Sequence, residues 1–113
     1  MQSFTPAHRL KKADEFSSVF LFKKVRFGVY LKIHFKPNGL ENSRLGLVVG
    51  KKVHKRANKR NYMKRLIREL FRTNQPNWNT SYDVIVRVHK LFTPETFSTL
   101  QTEFLSLTKL FNK

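Results

Sequence analysis

Cysteine is absent from this chain, acidic residues are scarce, and no apolar run approaches the length of a membrane span. The first absence removes disulfides, thiolate zinc sites and cysteine nucleophiles together, so the core holds by packing alone. The second leaves seven Asp and Glu against 23 Lys and Arg, a formal net charge of +16. An excess of that size points to a polyanionic partner, either nucleic acid or an anionic membrane surface. The third argues against an integral membrane protein. The opening MQSFTPAHRLKK also lacks the apolar centre of a signal peptide, so a cytoplasmic location is expected. Eleven Phe and 40% hydrophobic residues separate the chain from disordered basic tails, and 113 residues suit one domain, 1–113, with a modest core.

Scarce acids also exclude chemistry. Asp14, Glu15, Glu41, Glu69, Asp83, Glu95 and Glu103 are spread thinly, without the DxD, ExK or HExxH groupings that hold catalytic metal ions. Gly46 and Gly50 form neither a Walker nor a dinucleotide loop. His8, His34, His54 and His89 are each isolated in sequence. Convergence of two of them into an acid–base pair stays open, but each reads first as a surface or RNA-contacting residue. No catalytic residue and no metal ligand is assigned.

What the sequence does contain is a dense basic stretch, Lys51 to Arg72, with ten Lys or Arg among 22 residues and Glu69 as its one acid. It carries +9 of the net charge. At 100° per residue, Tyr62, Met63, Leu66, Ile67 and Leu70 fall on one arc of a helix. Arg60, Asn61, Lys64, Arg65, Arg68 and Arg72 fall on the other, giving a helix that buries one side and presents a fixed grid of cations on the opposite side. Solvated faces usually mix signs, and this one does not. Arg60, Lys64, Arg68 and Arg72 at i, i+4 repel one another by a few tenths of a kcal/mol per pair, which a bound anion would relieve. Asn58 is the expected N-cap, and the run 73–76 the expected stop.

Around this stretch the chain alternates helix and strand signals. Lys12 to Phe22 has the spacing of a short amphipathic helix with Phe16 and Phe20 one turn apart, packed in a core or offered to unpaired bases. Phe27 to Phe35 alternates with period two, predicting one strand with Val29, Leu31, Ile33 and Phe35 inward. After turn residues at 36–43, the apolar run Arg44 to Gly50 predicts an internal strand, paired with the previous one as a hairpin. Residues 76–81 read as a polar linker holding the single Trp, Tyr82 to His89 as a third long strand, and Thr93-Pro94-Glu95 as a capped helix start. Phe97, Leu100, Phe104, Leu107 and Phe111 then form a core stripe. The order predicts an α+β fold, a two-layer α/β sandwich α-β-β-(β)-α-β-α.

Basic helices read DNA, RNA and membranes alike, but duplex-DNA readers commonly precede them with a second helix, whereas here a strand does. Aromatic residues among the cations favour single-stranded or irregular RNA. At Arg60-Asn61-Tyr62-Met63-Lys64-Arg65-Leu66-Ile67-Arg68-Glu69 the sequence resembles the RNRxKRxxRE signature of the bacterial ribonuclease P protein component. The likeness extends through Leu45 to Lys52, through Arg56-Ala57, and through Arg9-Leu10, Phe16 and Val19-Phe20. Tyr62 stands where the motif's second arginine is usual, at the border of the two arcs, a place from which to pack or stack rather than bind phosphate.

The resemblance implies an accessory subunit of an endoribonuclease that removes the 5′ leader of precursor tRNA, with catalysis by an RNA subunit and Mg2+ held mainly by that RNA. It implies that Lys51, Lys52, Arg56, Arg60, Asn61, Lys64, Arg65 and Arg68 face the catalytic RNA. It further implies that Phe16 and Phe20, with Tyr30 and Lys32, line a cleft for the leader. A left-handed β-α-β crossover around the basic helix, against the general handedness rule, and a monomer in a 1:1 protein–RNA complex off the membrane complete the picture. The rivals are a structural, ribosomal-type RNA-binding protein without a processing role and a self-sufficient nuclease using His and Lys.

Overall fold

The computed structural model describes residues 8–113; the first seven residues of the MQSFTPAHRLKK stretch lie outside them. Three helices and a four-stranded mixed sheet give the α+β fold the pattern predicts. They are α1 (Ala13–Phe22), β1 (Val25–Phe27), β2 (Leu31–Pro37), β3 (Arg44–Val49), α2 (Ala57–Asn74), β4 (Tyr82–Val88) and α3 (Phe97–Leu107). Short 3-10 turns follow α2, precede α3 and close the chain at Lys109–Phe111. No helix among the described residues is long and apolar enough to cross a membrane.

The sheet order is β1-β2-β4-β3, with β4 antiparallel to β2 and parallel to β3. This corrects two expectations. β2 and β3 do not pair as a hairpin, because β4 lies between them. β3 is an edge rather than an internal strand, covered at one point where the Leu10 N–H donates to the Leu45 carbonyl at 3.0 Å. β4 takes the centre because Val84, Ile85 and Val86 are fully buried, which requires cover on both faces. Parallel pairing of β3 with β4 makes α2 the crossover of a β-α-β unit, as the resemblance implies.

The predicted strand 27–35 is two strands. Val29, expected inward, is 62% exposed because the chain turns at 28–30. Glu103 of α3 holds that turn: Oε1 accepts the Val29 N–H at 2.7 Å, and Oε2 accepts those of Tyr30 at 3.0 Å and Leu31 at 2.8 Å. Gly28 lies so close to this carboxylate that a Cβ would collide with it. From the other side His89 Nε2 donates towards the Gly28 and Val29 carbonyls.

On one face of the sheet Leu31, Ile33, Phe35, Val84, Val86 and Val88 join residues of α2 and α3 in the main core. Met63, Ile67, Leu70 and Phe71 are the α2 contribution, each 3% exposed or less. At roughly 1.5–3 kcal/mol per buried side chain, their burial outweighs the few tenths lost to each like-charge pair on the outer side. Trp78 is a core residue, not part of a polar linker: it is 4% exposed, with its ring edge-on to Phe71 and Phe111 at 5.6 and 4.8 Å. Phe111 reaches that core from the terminal 3-10 turn, since α3 ends at Leu107. On the opposite face α1 packs Val19 against Leu10 and Ile85, with Phe16 half-buried beside them. The Phe16 ring presses on Gly46, where a Cβ would stand 2.7 Å from it.

Candidate nucleic-acid interface

The basic helix meets the condition its sequence sets, embedded on one side and cationic on the other. It starts one residue before Asn58, so the expected cap lies inside the helix; Arg56 takes the N-cap position, and no side chain caps the first turn. The approach is braced instead by Arg60, whose guanidinium donates to the carbonyls of His54 and Lys55 at 2.9 and 2.8 Å. A cation at the positive end of a helix opposes the macrodipole, and bonding to two carbonyls offsets that cost. Arg56, Asn61 and Arg65 are exposed, while Arg60, Lys64 and Arg68 are half-buried. Lys51 and Lys52 sit exposed in the turn after β3, with Arg87 and His89 around a depression of about 440 Å³.

None of these interface cations pairs with a carboxylate among the described residues; the ion pairs are Arg44 with Glu15 and Asp83, and Arg72 with Glu69. Arg68 shows the consequence. Burial first, and then the neighbouring Arg9 and Arg65, pull its guanidinium below the ordinary arginine range. Arg68 and Lys64 line a gap of about 170 Å³ at the β3 edge, shared with Arg9, Phe16 and Gly46. A phosphate entering that gap would meet several cations already held by the fold.

The acids are engaged elsewhere. Arg44 donates to both oxygens of the buried Asp83 at 2.8 and 2.7 Å, and to Glu15 at 2.8 Å, which fastens α1 to the sheet. Backbone N–H groups of Lys12 and Lys11, then Arg44, hold Glu15 below the usual carboxylate range. Glu103 serves the 28–30 turn, and a hydrogen bond from Thr93 lowers Glu95. Among the described residues no group of three or more acids and histidines is placed to hold a metal ion.

The α1 face of the sheet forms the second surface. Strand register places Phe27, Lys32 and Arg87 side by side, with His34 next to Lys32 on the same face. The Phe20 ring, 36% exposed, stands edge-on to His34 with centroids 4.8 Å apart. Lys32 Nζ lies 5.0 Å from the Phe27 ring centre. Burial, then Lys32 and Arg87, push the His34 imidazole below its usual value, so it is neutral at pH 7. Phe20 and Lys32 thus come together around His34. Phe16 lies further back, towards Lys64 and Arg68. Tyr30 is not brought to this cleft; it packs on the main core under Lys90, with Nζ 5.3 Å from its ring. Sequence reasoning passed over Arg9, Phe27 and Arg87 as site residues, and it read His34 as a surface or RNA-contacting residue without placing it in the leader cleft. Period-two alternation set inward against outward only along 27–35, and only the cross-strand register shows that Phe27, Lys32, His34 and Arg87 share one face.

The description "Ribonuclease P" belongs to the protein family whose model matches residues 4–112. The chain is similar to the ribonuclease P protein component of Azoarcus sp. strain BH72, 46% identical over 106 residues, covering 94% of this chain and 88% of that one. Its counterpart in Chromobacterium violaceum is 51% identical over 92 residues, covering 81% and 75%. Among solved structures, a Staphylococcus aureus RNase P protein matches with a TM-score of 0.81 at 26% identity, over 93% of this chain and 98% of that one. The RNase P protein from Thermotoga maritima matches at 0.77 and 32%, with the same coverage.

Proposed function

The chain belongs to the ribonuclease P protein family, and from that premise we propose how it serves this endoribonuclease. The outer face of α2, with Lys51, Lys52 and Arg56 leading into it, binds the phosphates of the catalytic RNA. Phe20, His34 and Lys32, with Phe16 behind them, hold the single-stranded 5′ leader of precursor tRNA by ring contacts and charge. The two surfaces adjoin at the β3 edge, so one small protein touches ribozyme and substrate together. The observation that carries this reading is the unneutralised cation face of α2, fixed to the core by Met63, Ile67, Leu70 and Phe71.

Cleavage of the phosphodiester belongs to the RNA subunit and the Mg2+ it holds. The protein's carboxylates fit that division: Glu15, Asp83 and Glu103 are bound by Arg44 or by backbone amides, so they are not a donor set for the ion. The protein contributes by screening phosphates, which lowers the salt and Mg2+ the RNA needs, and by favouring leader-bearing substrate over product. It works as a monomer in a 1:1 complex with the RNA in the cytoplasm.

The test incubates precursor tRNA with protein alone, catalytic RNA alone at low Mg2+, and both together. Cleavage should appear only with both. Cutting by the protein alone would restore the self-sufficient nuclease, and no gain over RNA alone would restore the purely structural RNA-binding protein.

A further inference from the structure

Tyr62, the position that departs from the family motif, opens onto a groove the RNA-binding reading has not used. The groove, about 450 Å³, runs between the start of α2 and the segment 91–94 that leads into α3. Its floor is apolar, made by Met63 and Phe92 at 1% and 2% exposure; Tyr62, Leu91 and Pro94 also line it. Tyr62 is half-buried, and its hydroxyl has no hydrogen-bond partner among the described residues. Leu91 is 43% exposed. Lys59, Arg65 and His54, with the neutral Asn58 and Thr93, complete the lining, and no acid is among them. His54 Nδ1 accepts the Arg56 N–H at 3.1 Å, so in the neutral ring the proton sits on Nε2.

We propose that this groove captures a single unpaired nucleobase of the RNA bound by α2, stacked on Tyr62, with its phosphate held by Lys59 and Arg65. Three observations select a base over an apolar protein side chain. The lining carries only positive charge, which matches a nucleotide's phosphate. It continues the cation grid without a break, since Arg65 belongs to both. It combines an aromatic face with an unpartnered phenol and an imidazole donor, the equipment that reads a base by stacking and by its edge. An arginine at position 62 would offer one more phosphate contact; tyrosine changes the ligand from backbone to base. The inference rests on the reading of α2 as an RNA-binding helix and adds to it what Tyr62 binds.

The experiment titrates isotope-labelled protein by NMR with adenosine monophosphate and, separately, with ribose 5-phosphate, which lacks the base. Adenosine monophosphate should shift the Tyr62 ring together with Met63, Leu91 and Phe92, and ribose 5-phosphate should move only the neighbourhood of Lys59 and Arg65. Tyr62→Ala should abolish the Leu91 and Phe92 shifts and weaken binding of the catalytic RNA about five- to a hundredfold, the range for loss of one stacked base. Tyr62→Phe should keep the shifts. Equal shifts with both probes would overturn base capture. Wild-type RNA affinity in Tyr62→Ala beside a clear loss in Arg68→Ala would overturn it alone, whereas wild-type affinity in both variants would remove the reading of α2 as well.

Discussion

Arg44 and Arg68 stand on neighbouring elements near the β3 edge, and the fold treats their charges in opposite ways. Arg44 is clasped by Asp83 and Glu15, and its guanidinium is stabilised above the ordinary range, first by the Asp83 hydrogen bonds. Arg68 is half-buried with arginines for neighbours and is pulled below that range. One charge is finished within the protein and builds it; the other is left incomplete and waits for an anion. With 23 basic residues and seven acids, where the acids go decides which cations remain for a partner. Glu15 and Asp83 go to the α1 corner, Glu103 to the 28–30 turn and Glu95 to the start of α3, leaving the outer face of α2 with Glu69, itself paired with Arg72.

Breaking the building charge should have the larger effect. Arg44→Ala leaves Asp83, 4% exposed, without its counter-ion, and is expected to destabilise the fold by about 2–4 kcal/mol. Urea denaturation reads this directly; a loss below about 0.5 kcal/mol would mean Arg44 is a surface residue in function. Arg68→Ala should do the reverse. Stability stays within about 0.5 kcal/mol or improves, while affinity for the catalytic RNA falls by roughly tenfold and its salt dependence flattens by about one phosphate contact. A folded Arg68→Ala with unchanged affinity would erase the contrast between the two arginines.

Phe20→Ala sharpens the comparison on the substrate side. It should leave catalytic-RNA affinity intact and reduce the preference for leader-bearing over mature tRNA by about 1–2 kcal/mol, the value of one stacked base. An unchanged preference in a folded variant would remove the stacking role. The smallest effect belongs to His34. Its folded value lies below the usual 6.5, so the unfolded chain takes up the proton first. Stability from this group is full above about pH 6.5 and is lost as pH falls through the folded value. NMR titration should place the ring below 6.5 in the free protein and move it upward when single-stranded RNA brings phosphate alongside; no movement would put the leader elsewhere.

Much of this was legible in the sequence, and the division follows the range of the forces involved. The two arcs of α2 rest on local periodicity, and Met63, Ile67 and Leu70 are buried as that periodicity predicts. The placement of β4 between β2 and β3 was not legible, because it depends on which strand needs cover on both faces. The break at 28–30 was hidden for the same reason: the carboxylate that makes it stands 74 residues from Val29. Trp78 was misread because neighbouring Pro, Asn and Ser resemble a linker, while the rings that enclose it come from α2, β4 and the chain's last turn. At the site, the cations were visible as composition. Their lack of counter-ions was not, since it depends on where Glu15 and Asp83 point.

The most direct test measures catalytic-RNA binding against salt for the wild-type protein and for a variant with Lys64, Arg65 and Arg68 all changed to Gln. A rigid, unneutralised α2 face predicts that the slope of log K against log salt falls by about two to three in the variant, with the fold unchanged by circular dichroism. A slope equal to that of the wild type would contradict the account.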